Sequence, residues 1–443
     1  MPAPRTAADA CAQIFDVVVI GGGASGLAAG IAAARAGAAV CVLESDVEAG
    51  LSILATGNGR CNLSNARLEP ERYRHPETFQ KAAGAHPEAD LQAFFTSLGL
   101  MVAQEDQGRL YPRTKRAESV RAVLLDACAR DGVALRCGCT PTAARHDPQV
   151  GLWRLTAAEP QGPLHPKGGH DTHSSLRNAR KALAAAQRTQ RPLLGRRVII
   201  ACGGRAARLA ELFGLPCLPE EPVLCPIACT LALEGGCGAL DGLRVEGALT
   251  LVQDGAVRAR EEGEVLFRAY GVSGIAAFNL SRHLHAGRAA ELELDLFPEL
   301  GQDELERALL ERGERIGALA DAGPSWFDGV LPRELGAPIF GEAVSCARPV
   351  RRAAALLKRL RLADCHTTLP EQAQVHRGGV PVDAVDPRTL AVRPQIAPAL
   401  HVCGEALDMD ADCGGFNLAW AWLSGMRAGS SAAALSNEKS FHA

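Results

Sequence analysis

The sequence predicts an α/β fold in which both ends of the chain contribute to one mainly parallel sheet. Residues 15–43 have the pattern of a strand, an Ala-rich helix and a second strand, which together make a βαβ unit. Residues 222–296 contain strand-like segments separated by Gly and Asp-Gly turns. Residues 400–403 form a short apolar strand that precedes a glycine pair and a helix from about Asn417. The end of the chain therefore resembles its beginning, and we expect it to complete the first sheet.

Composition narrows the class of protein. The 443 residues suffice for about three domains, and 47% hydrophobic with 22% charged residues is typical of a globular chain. The 47 basic and 50 acidic residues leave a net charge of −3, so we expect a small-molecule substrate and no nucleic-acid partner. The 15 cysteines are odd in number and include no C-x-x-C pair, which predicts reduced thiols, a cytoplasmic location and no metal site.

One segment has the length of a membrane span. Residues 17–34 are uncharged, but five of these eighteen residues are glycine. A strand, a tight turn and a helix explain every position, so we predict no membrane association.

Apolar periodicity predicts further elements along the chain. We expect helices near 117–130, 274–284, 303–320 and 350–360, and strands at 133–137, 150–156 and 197–201. Between residues 159 and 195 the pattern stops, and seven basic residues from Arg177 to Arg197 have no acid among them. We interpret this stretch as a mobile insertion.

The first turn carries a nucleotide-binding pattern. Gly21, Gly23 and Gly26 match G-x-G-x-x-G between a strand and a helix, where glycine permits a tight turn and a close approach to pyrophosphate. Glu44 follows the second strand, where its carboxylate can accept hydrogen bonds from both ribose hydroxyls. The predicted contacts here are Gly21, Gly23, Ala24, Ser25, Gly26, Glu44 and Ser45.

A polar loop at residues 55–62 favours a flavin over a nicotinamide nucleotide. Its glycines can bring N–H groups against a flat ring, and the Arg60 guanidinium can stabilise negative charge as that ring is reduced. The alternative is a structural turn with Arg60 paired to a surface carboxylate. The predicted contacts here are Thr56, Gly57, Asn58, Gly59, Arg60, Cys61 and Asn62.

Two later glycine pairs follow strands in the same way. Gly404 lets a strand end approach the cofactor, Glu405 offers a carboxylate to ribitol hydroxyls, and the helix near Asn417 directs its positive end at the ring. Trp420 and Trp422 on this helix are expected to pack in the core. The predicted contacts here are Gly203, Gly204, Gly404, Glu405, Gly414, Gly415, Phe416, Asn417 and Leu418.

Several motifs together resemble one family, the HI0933-like or BaiN-like flavoproteins. They are ATGNGRCNLSN at 55–65, GRLYP at 108–112, GEVLFRAYGVSG at 263–274 and the segment 404–425. The resemblance implies a Rossmann-like FAD-binding domain split in sequence, an inserted β-barrel-like domain, a small helical domain, and a flavin ring between domains. The expected boundaries are 14–205 and 376–436 for the FAD-binding domain, 206–300 with part of 361–375 for the β-rich domain, and 301–360 for the helical domain.

The chain departs from this family at positions that concern the substrate. The family usually has a basic residue before ATGNGRCN, whereas this chain has Leu51 and Ser52. It often has Thr-His before Tyr-Gly and Pro after the next Ser-Gly, whereas this chain has Arg268, Ala269 and Ile275. We interpret the chain as a divergent member that still binds FAD.

The resulting functional hypothesis is an FAD-dependent oxidoreductase. NAD(P)H would act as a transient reductant, and hydride would pass to an organic acceptor such as a compound with an activated C=C bond or a quinone-like compound. The family resemblance implies a steroid-like acceptor. Arg60 and Tyr270 are the candidate catalytic residues. An amine oxidase of the aminoacetone type that uses O₂, a non-enzymatic flavin redox sensor and a flavin-free NAD-linked dehydrogenase remain open. So do the oligomeric state, the choice of nicotinamide and the reactivity of Cys61.

Overall fold

The chain is organised in two units, the second inserted into the first. A computed structural model describes residues 13–162, 173–204, 206–285 and 287–437. The first unit comprises residues up to 221 and from 376 onward, and the second unit comprises residues 222–375. Residues 206–221, which we assigned to the β-rich domain, thus belong to the first unit, and the expected helical domain at 301–360 belongs to the same unit as the β-rich segments.

Helices and strands are numbered in chain order through the described residues. The helices are α1 (Ala24–Arg35), α2 (Leu51–Leu54), α3 (Pro76–Ala83), α4 (Pro87–Ser97), α5 (Ala117–Arg130), α6 (His173–Ala185), α7 (Ala207–Phe213), α8 (Ile275–Ser281), α9 (Gln302–Ile316), α10 (Arg333–Val344), α11 (Pro349–Lys358) and α12 (Phe416–Asn437). The strands are β1 (Ile14–Ile20), β2 (Val40–Leu43), β3 (Ser64–Asn65), β4 (Val102–Gln104), β5 (Arg109–Pro112), β6 (Ala134–Arg136), β7 (Thr140–Asp147), β8 (Leu152–Pro160), β9 (Arg188–Ile200), β10 (Leu218–Val223), β11 (Ile227–Leu231), β12 (Arg244–Gln253), β13 (Ala256–Arg268), β14 (Gly271–Ser273), β15 (Ala290–Asp295), β16 (Leu360–Thr367), β17 (Val375–Gly379) and β18 (Leu400–Val402).

The main sheet of the first unit joins the two ends of the chain. Its strand order is β6-β2-β1-β9-β8-β7, and β18 pairs with β9. Strands β6, β2, β1, β9 and β18 are parallel, so their carboxyl ends lie at one edge. Residues 17–20 of β1 are buried, as expected for a β-branched strand covered on both faces. The register of Leu400 with Val198 confirms that the end of the chain completes the first sheet.

Helix α12 packs closely on α1 because of two glycines. A Cβ at Gly425 would overlap the carbonyl oxygen of Ser25, and a Cβ at Gly429 would overlap that of Ala29. These glycines let the two helix backbones approach each other. Trp420 and Trp422 on the same helix are almost fully buried, which confirms their predicted place in the core.

The uncharged run at 17–34 divides between β1 and α1, as predicted. Among the described residues no helix has both the length and the apolar character needed to cross a bilayer.

The expectation of an irregular insertion at 159–195 was wrong for its described residues. Strand β8 continues to Pro160, α6 begins at His173, and β9 pairs antiparallel with β8 from Arg188 onward. The first five residues of β9 are mostly exposed, so their polar sequence shows no alternation. Helix α6 buries Ala179 and Leu183 against Val47. Residues 163–172 lie outside the described part of the chain.

The second unit is built on a closed antiparallel barrel with strand order β11-β14-β13-β12-β15-β16. Alternate residues such as Leu249, Leu251, Leu292 and Leu294 are buried, as the period of a strand requires. Helices α9, α10 and α11 contribute to the same apolar cluster as the barrel strands. The barrel confirms the β-barrel-like character that the family resemblance implies.

Candidate functional site

The glycines after β1 are required by close backbone contacts. Gly21 has φ +109°, and a Cβ there would lie 2.7 Å from the carbonyl carbon of Ala201. A Cβ at Gly26 would overlap the carbonyl oxygen of Gly21. Helix α1 begins directly afterwards at Ala24, with Gly23 as its N-cap. The first-turn N–H groups of α1 are therefore available to a phosphate at this edge of the sheet.

Glu44 is fixed at the end of β2 by three hydrogen bonds. Its Oε2 accepts from the Gly22 N–H at 2.7 Å, and its Oε1 accepts from the Asp46 N–H at 2.7 Å. Ser45 Oγ also donates to Oε1, at 3.1 Å. The carboxylate thus lies beside the glycine loop that follows β1, and its role in binding a ribose stays a prediction.

The ends of β9 and β18 meet beside α1. Gly404 donates its N–H to Ser424 Oγ at 2.9 Å, and its carbonyl accepts from Trp420 Nε1 at 3.0 Å. A Cβ at Gly404 would lie 2.5 Å from Ser25 Oγ, so glycine is needed here for the approach to α1. Two residues of α12 therefore hold this strand end in place, a role that the sequence did not reveal.

Glu405 lies next to the glycine pair that follows β9. Its Oε1 accepts from the His376 N–H at 2.6 Å. The same carboxylate packs against Gly204, where a Cβ would lie 3.0 Å from the carboxyl carbon. Gly203 has φ +71° and open space around the position of a Cβ. The structure thus brings the predicted residues Gly203, Gly204 and Glu405 together.

The loop at 56–62 has an unusual backbone. Gly57, Asn58 and Cys61 have φ of +56°, +54° and +55°, although only one of them is glycine. Non-glycine residues adopt this conformation at a cost, and such residues concentrate at functional sites. Thr56 fixes the loop, since its carbonyl accepts from the Cys61 N–H at 3.0 Å and its Oγ1 donates to the Ile53 carbonyl at 2.6 Å.

The loop at 56–62 and the turn at 414–417 are in contact. Asn65 Nδ2 donates to the Gly414 carbonyl at 3.1 Å. With its amide oriented to satisfy its neighbours, Asn62 accepts from the Gly415 N–H at 3.1 Å. A Cβ at Gly415 would overlap the Ser64 carbonyl. Segments about 350 residues apart thus form one site at the N-terminus of α12.

The remaining predicted residues of the turn shape its backbone. Asn417 Oδ1 accepts from the Ala411 N–H at 2.8 Å, and its Nδ2 donates to the Ala411 carbonyl at 2.9 Å. Phe416 is buried, and its carbonyl accepts from Tyr73 Oη at 3.3 Å. Leu418 packs on the core of the first unit. The Asn417 side chain therefore folds the turn back on the segment that precedes it.

Arg60 has well-defined partners. Its guanidinium carbon lies 4.3 Å from the centroid of the Tyr111 ring. Its Nη2 donates to both carboxylate oxygens of Glu105 at 2.6 Å. An ion pair between Arg60 and a carboxylate is the alternative to a contact between Arg60 and the flavin ring. Glu105 forms such a pair with Arg60. Arg60 remains partly exposed, and its guanidinium has further donors for a ligand.

Three alternating aspartates form a buried ionic network beside the turn. Asp410 accepts from Arg377 Nε and Nη2 at 3.1 and 3.2 Å, and Asp412 accepts from Arg72 Nη1 at 3.3 Å. Asp408 accepts from the Gly378 N–H at 2.9 Å and contacts Arg74 Nε at 3.3 Å. This network is not predicted above, although the spacing Asp-x-Asp-x-Asp in an extended segment indicates that the three carboxylates lie on the same face of that segment.

Cys61 is expected to be unreactive in the folded protein. It is fully buried, and burial raises the pKa of its thiol to about 11 although a hydrogen bond with Thr56 opposes the shift. Because the thiolate is the nucleophile, iodoacetamide at pH 8 should label the exposed Cys346 and leave Cys61 unmodified until the protein is unfolded. Peptide mass spectrometry checks this, and labelling of both cysteines at similar rates would contradict it.

Tyr270 lies in the second unit, in the turn between β13 and β14. Its carbonyl accepts from the Cys229 N–H at 3.0 Å. Arg268 lies 6.0 Å from the centre of its ring and pairs with Asp241 at 2.9 Å. The catalytic role of Tyr270 stays a prediction.

Comparison with known proteins identifies the family. Residues 15–159 and 167–431 match the family model described as HI0933-like protein Rossmann domain. The chain belongs to the HI0933-like family. This confirms the resemblance found in the sequence and makes the chain a flavoprotein oxidoreductase with an FAD-binding Rossmann domain.

Three known proteins are similar to this chain over nearly its whole length. The chain is 30% identical to the 3-dehydro-bile acid delta(4,6)-reductase of Clostridium scindens, over 94% of this chain and 98% of that protein. It is 25% identical to the ribosomal RNA dihydrouridine synthase of Escherichia coli, over 93% and 96%. The solved 3-ketosteroid-delta4-(5alpha)-dehydrogenase of Rhodococcus jostii RHA1 aligns over 97% of this chain and 99% of that chain, with 15% identity and a TM-score of 0.48.

Proposed function

We propose that this protein is an FAD-dependent reductase that takes hydride from NAD(P)H and delivers it to an activated C=C bond of an organic acceptor. The observation that carries the proposal is the contact between the loop at 56–62 and the turn at 414–417. The flavin nucleotide would extend from this contact to the edge of the sheet where β1, β9 and β18 end. A ligand that lies along this edge would touch both ends of the chain at once.

The residues at this edge fit FAD. Gly21, Gly26 and Gly404 occupy positions where a side chain would collide with the backbone or with Ser25. Glu44 and Glu405 place carboxylates where ribose and ribitol hydroxyls would need acceptors. Arg109 on β5 also has a buried Nε for which the described residues provide no hydrogen-bond partner. An orphaned donor of this kind is consistent with a missing acceptor on a ligand.

When bound, FAD would supply the two-electron hydride chemistry. The N–H groups of the first turn of α1 would hold the pyrophosphate, and Glu44 would accept from the ribose. The N-terminus of α12 and the Arg60 guanidinium would stabilise the negative charge that develops on reduction. The Tyr111 ring under its guanidinium and the hydrogen bonds from Nη2 to Glu105 hold the Arg60 side chain in one orientation. The buried Trp420 and Trp422 donate their Nε1–H groups to the carbonyls of Gly404 and Leu63, which fixes the backbone next to these segments.

The choice of a C=C acceptor is supported by what two relatives have in common. The names delta(4,6)-reductase and dihydrouridine synthase both describe the addition of hydrogen to a C=C bond. The net charge of −3 favours a small molecule over RNA. A 3-oxo-Δ4 steroid is therefore the first acceptor to test, and a uridine-containing rRNA fragment is the second.

Anaerobic stopped-flow mixing tests the proposal. We expect the visible absorbance of the bound oxidised flavin to bleach with NADH or NADPH and to return when the enone is added. Bleaching by an amine, with return of the absorbance only in O₂, would contradict the proposal in favour of an amine oxidase. Absence of bleaching with every donor would favour a redox sensor.

Substitution of Arg60 is expected to change the redox equilibrium of the bound flavin. Arg60→Gln removes a positive charge, so reduction should become less favourable by about tenfold, or about 30 mV for a two-electron couple. Arg113→Gln removes the same charge from an exposed position and should cause a much smaller shift. Redox titration of both holoproteins measures the two potentials, and equal shifts would show that Arg60 has no specific role.

A further inference from the structure

Beside the Arg60 loop, two cations share one carboxylate. Glu105 Oε1 lies 2.6 Å from Arg60 Nη2 and also 2.6 Å from Lys115 Nζ. The side chains of Arg60, Lys115 and Glu105 are 39%, 58% and 28% exposed, so all three can be reached from solvent. The cluster carries two positive charges and one negative charge. It therefore has one positive charge in excess.

The turn that carries Lys115 lies in a basic segment. Residues 109–116 contain four basic residues and no acid, and Arg113, Lys115 and Arg116 are exposed. Lys115 has φ +54°, and its N–H donates to the Pro112 carbonyl at 2.8 Å, which closes a tight turn. A lysine adopts this conformation at a cost, which points to a constraint on where its side chain projects.

The geometry of the carboxylate shows what the cluster could bind. Glu105 receives both of its Arg60 hydrogen bonds from Nη2, and a guanidinium has five N–H donors in total. The Lys115 ammonium has three donors. The neighbouring cations hold the pKa of Glu105 below its ordinary value, so this carboxylate is ionised at neutral pH. Donors of Arg60 and Lys115 beyond those bound to Glu105 can bind a second oxyanion.

We propose that Lys115, acting with Arg60, binds an oxyanion group of the acceptor substrate, either a carboxylate or a phosphate. This inference rests on the proposed function in one respect, because it takes the bound oxyanion to be part of the acceptor substrate. In the free protein Glu105 pairs with both cations beside the turn at residues 112–115, and it competes with the incoming anion for their donors. Lys115 is then a residue that determines specificity: it selects an anionic acceptor over a neutral one of the same shape.

Titration of the FAD-loaded protein tests this without turnover. The probes are cholate, its neutral methyl ester and inorganic phosphate, each followed by calorimetry and by perturbation of the flavin spectrum. We expect cholate or phosphate to bind, and the methyl ester to bind more weakly than cholate. Lys115→Gln should lower the affinity for whichever of the two anions binds by about tenfold, which corresponds to about 1.4 kcal/mol. Arg113→Gln changes the net charge equally and should have less than about a twofold effect, because an isolated exposed charge contributes little.

Glu105→Gln separates this role from a structural one. If Glu105 competes for the two cations, its neutral variant should bind the anion more tightly than the unmodified protein does. If Glu105 only maintains the local fold, the variant should bind the anion more weakly, which would overturn the proposal. It would also be overturned if neither anion bound at millimolar concentration, or if Lys115→Gln and Arg113→Gln weakened binding equally. Failure of the proposed reductase function would appear instead as a flavin that does not exchange hydride with a neutral enone.

Discussion

Replacing Gly26 with alanine is expected to abolish stable FAD binding. A Cβ at this position would overlap the carbonyl oxygen of Gly21, and the next contact, with the carbonyl carbon of Gly21, would be only 2.9 Å. Both atoms belong to backbone, so the overlap cannot be relieved by rotation of a side chain. Helix α1 would have to move away from β1, and its first-turn N–H groups would leave the pyrophosphate position. We expect FAD affinity to fall by about 100-fold or more, about 2.8 kcal/mol.

The measurement is a titration of the deflavinated protein with FAD. Gly341→Ala in α10 is a matched control, because its backbone is helical and, apart from its chain neighbours and the backbone of its own helix, no atom of the described residues lies within 4 Å of the position of its Cβ. That variant should bind FAD as the unmodified protein does and be slightly more stable, since alanine favours a helix over glycine. Retention of normal FAD affinity by Gly26→Ala would mean that the nucleotide does not use the α1 turn.

Replacing Arg377 with alanine is expected to cause the largest loss of stability. Asp410 is fully buried, and Arg377, only 17% exposed, donates two hydrogen bonds to it. Breaking a buried ion pair by removing one partner costs about 3–5 kcal/mol. Asp410 keeps a longer contact with Arg74 Nη1 at 3.9 Å, which compensates its charge only in part, so we expect a loss near the lower end of that range. The substitution should also disturb the turn at 414–417, because the Asn417 side chain binds the backbone of Ala411, next to Asp410.

Urea unfolding at neutral pH measures this change. Lys81→Ala breaks an ion pair with Glu77 in the same unit, but these side chains are 51% and 89% exposed. The free energy of unfolding of the Lys81→Ala variant should therefore differ from that of the unmodified protein by less than about 1 kcal/mol. An Arg377→Ala variant as stable as Lys81→Ala would show that the network of aspartates is not a determinant of the fold.

The sequence predicted the first sheet well because local patterns define its elements. Strand β1, helix α1 and strand β2 have strong periodicity and a glycine turn between them, and α5 was predicted with the bounds that it has. Helix α6 and strand β9 were missed for a physical reason. Their pairing with β8 and their packing on Val47 are tertiary, and the exposed start of β9 has polar residues on both faces.

The candidate site was predicted in part. The residue types of the loop at 56–62 were informative, because a glycine-spaced polar loop has few structural reasons to exist. The partner of Arg60 was not predictable, since Glu105 is 45 residues away and reaches it through the small sheet of β3, β5 and β4. The same holds for Ser424 and Trp420, whose bonds to Gly404 depend on how α12 packs on the main sheet.

The most direct test is a crystal structure of the FAD-loaded protein. We expect the pyrophosphate to lie at Gly21–Gly26 and the isoalloxazine ring to contact both the loop at 56–62 and the turn at 414–417. A structure in which the ring touches only one of these two segments would contradict the claim that both ends of the chain build a single flavin site.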